Sequence, residues 1–198
     1  MRIAEGPHPA GLPGPVTVRT LSRDDFPLLH RWLNMPHVRR WWRGEPATLT
    51  EVERKYGPRI DSVAPTQVFV IELQGEPVGI IQCYRHADHG QWDNAVGIPA
   101  AAGIDYLIGE PSYVGQGVGS AAIACFTPHV LASYPDIDVI VAAPQADNLA
   151  SRRALEKAGF TLAGTRHLDS DDPSDAGPSA IYTLTSPHAA QHRWRSSR

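Results

Sequence analysis

Apolar and polar positions change period several times along this chain, and the changes mark out its elements. Val16, Val18 and Leu21 fit a first strand. Ser22, Asp24 and Asp25 then offer helix caps, Pro27 sits where first-turn amides have no helical partner, and Phe26, Leu29, Trp32 and Leu33 recur at helical spacing to about Asn34. Pro36 breaks that helix, and residues 37–42 follow as a short turn or helix. Trp41 and Trp42 are neighbours and point in different directions on a helix, so one of them is expected to line a surface cleft. Thr48 and Thr50 cap a further helix through Glu51 and Glu53 towards Tyr56. Gln67–Leu73 and residues 78–84 read as antiparallel strands joined by a hairpin turn at Gln74, Gly75 and Glu76.

Residues 86–102 are polar, then small, and read as flexible; they hold His86, His89, Trp92 and Asp93. Within 103–120 an apolar strand-type run carries one acidic residue, Asp105, and the stretch ends in a turn where Gly115, Gly117 and Gly119 alternate. The next segment, 119–134, reads as a helix with Ile123, Phe126, Val130 and Leu131 on its apolar face and a kink at Pro128. Residues 137–143 (Ile-Asp-Val-Ile-Val-Ala-Ala) read as a buried strand, of the continuous apolar type covered on both faces. Asp147 or Asn148 caps a helix through Ala158 that Gly159 closes, and 160–165 with 180–184 complete the sheet. The order of elements predicts an α/β (α+β) fold, a mixed central sheet with helices on both faces.

Composition narrows the function classes. With 198 residues, 42% of them hydrophobic, the chain is long enough for one well-buried core, placed here at 16–185. Residues 1–15 hold four prolines and three glycines and are expected to be a disordered leader; the basic tail 186–198 is expected to be disordered as well. A net charge of −3 argues against a nucleic-acid partner, and Asp169, Asp171, Asp172 and Asp175 crowd into one loop, which favours a cationic one. Cys83 and Cys125 lie in apolar segments without metal spacing and read as small packed side chains in a reducing compartment. No apolar run reaches membrane-spanning length, so a cytoplasmic protein is expected, with no membrane partner. His86 and His89 lack a third ligand, and no metal is expected.

Two stretches carry candidate chemistry. Gly115, Gly117 and Gly119 stand between a strand and a helix, where the backbone approaches a ligand closely and the first helical amides suit a phosphate; a plain tight turn fits the glycines equally well. Asp105 interrupts an apolar strand, where burial would raise its pKa towards that of a working base; a solvent-facing carboxylate on an edge strand is the alternative.

The stretch 114–119 (Val-Gly-Gln-Gly-Val-Gly) together with 148–160 (Asn-Leu-Ala-Ser-Arg-Arg-Ala-Leu-Glu-Lys-Ala-Gly-Phe) resembles the acetyl-CoA-binding core of the GNAT superfamily of N-acetyltransferases. Within that superfamily, Trp32-Leu33-Asn34, Pro36-His37-Val38, Trp41-Trp42 and Gly103-Ile104-Asp105 resemble the aminoglycoside 6'-N-acetyltransferases. The resemblance implies a mostly antiparallel sheet of about six to seven strands and direct acetyl transfer from acetyl-CoA to a primary amine of a polycationic aminoglycoside, by a monomer or homodimer. It implies backbone contacts to the cofactor's pantetheine arm from Leu107 and Gly109, pyrophosphate contacts from Gly115, Gln116, Gly117, Val118, Gly119 and Ser120, and a contact from Asn148. Asp105 would serve the substrate amine, and the backbone amide near Leu107 the oxyanion. Charge and stacking add Trp41, Trp92, Asp93, Glu110 and Asp175 as substrate-binding candidates. Three positions depart from the pattern: Val114 opens the glycine motif, Ala143 stands where an acidic residue is usual, and Leu155 replaces a tyrosine placed to protonate the CoA thiolate. A siderophore-type lysine N-acyltransferase and a catalytically weak acetyl-CoA sensor are the competing readings; Asp105 disfavours the first, and Leu155 supports the second.

Overall fold

In the computed structural model, which describes residues 1–5, 11–43, 46–168, 174 and 176–186, the alternating apolar positions from Val16 form strand β2 (Val16–Thr20). Strand β1 (Arg2–Glu5) pairs antiparallel beside it, so this part of the expected leader belongs to the sheet. Helices α1 (Phe26–Leu33) and α2 (Pro36–Arg39) each have a proline in the first turn, where no hydrogen bond is lost. Helix α3 (Leu49–Ile60) starts on a reciprocal capping box between Thr48 and Glu51. Strands β3 (Gln67–Leu73) and β4 (Glu76–Arg85) form the expected hairpin, with Gln74 and Gly75 both at positive φ.

Residues 86–102 depart from expectation. Helix α4 (Gly90–Val96) forms there, closed by Gly97 in the left-handed conformation, because Val96 is buried against Ala101, Val141, Leu168 and Ile181. Strand β5 (Ala101–Ile108) then leads through the glycine turn to α5 (Val118–Ser133), which carries Pro128 inside it. Strand β6 (Val139–Ala142), helix α6 (Leu149–Lys157) and strands β7 (Thr161–Leu168) and β8 (Gly177–Thr185) complete the described chain.

Among the described residues one sheet of eight strands runs in the order β1-β2-β3-β4-β5-β6-β8-β7, with β1 accounting for the number beyond the six or seven expected. Every pairing is antiparallel except β5 with β6. Helix α5 packs on one face over Phe69, Ile81, Ile104 and Ile140, joined by Leu155 of α6; α1 and α3 pack on the other over Val68, Val70, Ile80 and Leu107. Cys83 and Cys125 are both buried, and burial pushes the Cys83 thiol up to about 12 and Cys125 up to about 11, so neither is a thiolate at neutral pH. Among the described residues no helix is long and apolar enough to cross a membrane.

The feature that positions the site is a splay. Strand β5 pairs with β6 over Ala101, Ala102 and Gly103, and then runs on to Ile108 with no strand on that side among the described residues. The backbone groups that face the gap follow from the hydrogen-bond alternation of a strand. Asp138 donates to the Ala100 carbonyl (2.7 Å) on the β6 side, and Gly109 donates to Val78 (2.8 Å) on the β4 side. Even-numbered residues therefore turn their amides and carbonyls towards β6, and odd-numbered ones towards β4.

Candidate active site

Asp105 sits on β5 directly opposite Gln82 of β4. Gln82 donates from Nε2 to Asp105 Oδ2 (2.8 Å), and Arg59 of α3 donates from Nη1 to Gln82 Oε1 (2.8 Å). Arg59 can only donate, so it holds the Gln82 oxygen and leaves the amide NH2 for the carboxylate. Arg59 itself lies over the Tyr56 ring, 5.1 Å from its centroid. Burial pushes the Asp105 carboxyl above its ordinary value, outweighing the hydrogen bonds from Gln82 and Tyr84 and the charges of Arg59 and Lys55. A carboxylate so placed is a stronger base than one in water.

Removing the Gln82 donor sharpens that property. Gln82→Leu takes away a hydrogen bond that favours the ionised form, so the Asp105 pKa should rise further. With Asp105 as the base of a catalysed reaction, active only when deprotonated, the acid limb of the kcat/KM profile should move to higher pH, by about one unit. A pH–rate series on both proteins checks this, and superimposable acid limbs would refute it.

Two cavities meet at Asp105's end of the gap. The first, of about 440 Å³, is lined among others by Asp105, Lys55, Arg59, Gln82, Tyr84 and Trp92. The second, of about 380 Å³, runs over Gly115, Gly117, Gly119 and Ser120 at the start of α5 and along Arg153 and Lys157 of α6. Trp41, Trp42, Tyr106, Asn148 and Ser151 line both. Gly115 (φ 78°) and Gly117 (φ 91°) adopt left-handed backbone with which side chains conflict, and the turn delivers the first amides of α5 to the second cavity. With Arg153 and Lys157 alongside, that cavity suits a phosphate-bearing ligand such as CoA.

The structure assembles part of the expected site and rearranges the rest. Asp105, Trp41 and Trp92 share the first cavity, while Gly115, Gly117, Gly119, Ser120 and Asn148 share the second. Asn148 also caps α6, accepting from the Ser151 amide (3.1 Å). Val118 is a core residue, and Gln116 turns its side chain back onto the Ser112 carbonyl (2.6 Å). Asp93 lies outside both cavities beside His86, whose ring burial holds at about 4 and hence uncharged at neutral pH. Glu110 is held by Arg31 and by Trp32 Nε1 (2.8 Å) and reaches neither cavity. Asp169, Asp171, Asp172 and Asp175 lie outside the described residues. Leu107 lines the second cavity, but its amide and that of Gly109 turn towards β4, so the backbone groups facing the gap belong to Tyr106 and Ile108, a correction of one residue. His37 of α2 already holds the Ile108 carbonyl through Nε2 (2.9 Å).

Several site residues carry no sequence signal. Tyr106 reads as a core aromatic, yet its hydroxyl reaches Ser151 Oγ (2.7 Å) and the Ser151 carbonyl (3.1 Å) across the gap. Gln82, Arg59 and Lys55 sit in ordinary strand and helix patterns. Leu155 is buried in the core under α6 and lines neither cavity.

Comparison with known proteins places this arrangement. A family model described as an acetyltransferase (GNAT) domain matches residues 22–168. The aminoglycoside N(6')-acetyltransferase type 1 of Klebsiella pneumoniae is 33% identical over 154 residues, which is 76% of each chain. The lysine N-acyltransferase MbtK of Mycobacterium tuberculosis is 27% identical over 197 residues, 96% of this chain and 86% of that one. Among solved structures, AAC(6')-Ib in complex with paromomycin and acetyl-CoA superposes with a TM-score of 0.75 at 30% identity, over 89% of this chain and 96% of that one.

Proposed function

Because the chain belongs to the GNAT family of acetyltransferases, we propose that it transfers the acetyl group of acetyl-CoA directly, in a ternary complex, to the 6'-amine of an aminoglycoside and so confers resistance. The observation that carries this reading is a half-buried Asp105 with a raised pKa in the wall of one cavity, which adjoins a second cavity suited to phosphates. A protonated amine has no lone pair for attack, and Asp105 removes that proton. The nitrogen then adds to the thioester carbonyl, and the backbone amide of Tyr106, turned into the gap, faces the oxyanion that forms. The C–S bond breaks, and sulfur leaves with the electron pair. Of the three protons on the ammonium, one stays on the amide; the other two are shed, and one proton is taken up by the thiol. The relatives named for aminoglycoside acetylation support the acceptor.

One observation favours a second acceptor. Lys55 and Arg59 line the same cavity as Asp105, and Asp105 is the one carboxylate among its described lining residues. That charge suits an amine that also bears a carboxylate, such as a lysine derivative, in keeping with the lysine N-acyltransferase relative. Release of CoA from acetyl-CoA, measured with kanamycin, tobramycin, lysine and N6-hydroxylysine, separates the two. Turnover with the aminoglycosides is the expected result, and turnover with the lysines alone moves the assignment to the second reading. Tight acetyl-CoA binding with turnover on none of them would leave a binding module.

A further inference from the structure

The acetyl group must change hands where the two cavities meet, because the donor enters along one and the acceptor along the other. Five side chains line both: Trp41, Trp42, Tyr106, Asn148 and Ser151. The departing group is a thiolate, which needs hydrogen donors. The donors at the junction are the Trp41 and Trp42 indole N–H groups, the side-chain amide of Asn148, whose oxygen caps α6, and the hydroxyls of Tyr106 and Ser151; the two hydroxyls form a pair. Those two hydroxyls are 2.7 Å apart, delivered from opposite sides of the gap by β5 and α6. Leu155, one helical turn beyond Ser151, is buried in the core and supplies nothing.

We propose that the Tyr106 hydroxyl, supported from behind by the Ser151 hydroxyl, is the hydrogen-bond donor that stabilises the CoA thiolate as it leaves. The inference rests on the reading that the second cavity takes acetyl-CoA. In the free protein the Tyr106 hydroxyl has the Ser151 carbonyl within reach at 3.1 Å, so its hydrogen has an internal acceptor until a sulfur arrives. Rotation about the phenolic C–O bond turns that hydrogen towards the junction, and Ser151 Oγ–H donates to the phenol oxygen behind it. When the C–S bond breaks, both electrons go to sulfur, and the two O–H bonds stay intact. Burial keeps the Tyr106 phenol well above its ordinary pKa, so it stays protonated and acts as a donor rather than giving up its proton. The thiolate takes its proton from solvent afterwards. This pair does for the leaving group what Leu155 does not.

Donors to a thiolate lower the pKa of the thiol, so the test is the ionisation of bound CoA, followed by ultraviolet thiolate absorbance during a pH titration of the complex. No acceptor is needed. Bound to the wild-type protein, the CoA thiol should titrate about one pH unit below free CoA, and in the Tyr106→Phe complex it should return towards the free value. Ser151→Ala, which leaves the phenol in place but removes its support, should fall between the two. With an accepted amine, Tyr106→Phe should lower kcat about tenfold while KM for acetyl-CoA stays within about twofold. A thiol pKa that is the same in all three proteins overturns the proposal. A lowered thiol pKa in wild type alongside an aminoglycoside panel without turnover refutes the acceptor assignment and keeps this one.

Discussion

Asp105→Asn is expected to lower turnover by about 10²–10⁴-fold while acetyl-CoA affinity stays within about twofold. The substitution is nearly isosteric. An asparagine oxygen still accepts from Gln82 Nε2, so the Arg59–Gln82 chain and the pairing of β4 with β5 have no reason to change. What disappears is the capacity to take a proton. Burial has raised the Asp105 carboxyl, which narrows the gap between its pKa and that of an ammonium and makes its loss costly. Asp105 lines the first cavity and not the second, which is why donor affinity should hold. Steady-state kinetics together with calorimetric titration of acetyl-CoA checks both halves. A mutant with wild-type kcat and a raised KM for the amine would show that Asp105 holds the acceptor by charge alone, with water taking the proton.

Much of this architecture is legible in the chain, and what is not has a common cause. Apolar patterns locate β2 to β5, α1 and α5, because each of these elements buries one face or both, and capping residues locate α3 and α6. Strand β1 is hidden because prolines and glycines in 1–15 dominate its composition, whereas Arg2, Ala4 and Glu5 pair through backbone groups that no side-chain pattern reports. Helix α4 is hidden because its seven residues bury little beyond Val96.

The site divides along the same line. Gly115, Gly117 and Asn148 are visible because turn geometry and capping restrict the residue type locally. Asp105 is visible because it interrupts an apolar run. The acidic cleft expected from Asp93 and Glu110 is not built by them, since counting charges says nothing of where they point; Glu110 is spent on Arg31 and Trp32. Conversely, Lys55 and Arg59 enter the cavity from a helix whose exposed and buried faces look ordinary. The exchange of Leu107 for Tyr106 as the backbone facing the gap depends on strand parity, and a one-residue step in register reverses every amide. Tyr106 and Ser151 are 45 positions apart in sequence, and only the fold makes them a pair.

Gly109→Ala should destabilise the protein by about 3 kcal/mol, combining overpacking of about 1–3 kcal/mol with a strained or lost buried hydrogen bond of similar size. The Gly109 amide is committed to Val78 (2.8 Å) and not to the cofactor contact that the family resemblance implies, and the reason for glycine lies on its other side. A methyl group there would overlap Cγ, Cδ1 and Cδ2 of the Trp32 indole, closer than any real carbon contact allows. Trp32 has nowhere to go: it is fully buried among the residues that join α1 and α3 to the sheet, and its Nε1 donates to Glu110 Oε1 (2.8 Å). Moving the ring breaks that bond, and moving the backbone pulls β5 from β4, where Gly109 and Glu110 both donate to Val78. For a chain of this size the loss corresponds to a melting temperature lower by about 6–12 °C. Gly115→Ala is the control: its methyl would meet nothing within 4 Å, and only its φ of 78° opposes a side chain, for about 1–2 kcal/mol. Thermal unfolding of the two variants beside wild type decides the matter, and a Gly109→Ala midpoint no lower than that of Gly115→Ala would mean that the Trp32 contact is not what requires glycine at this position.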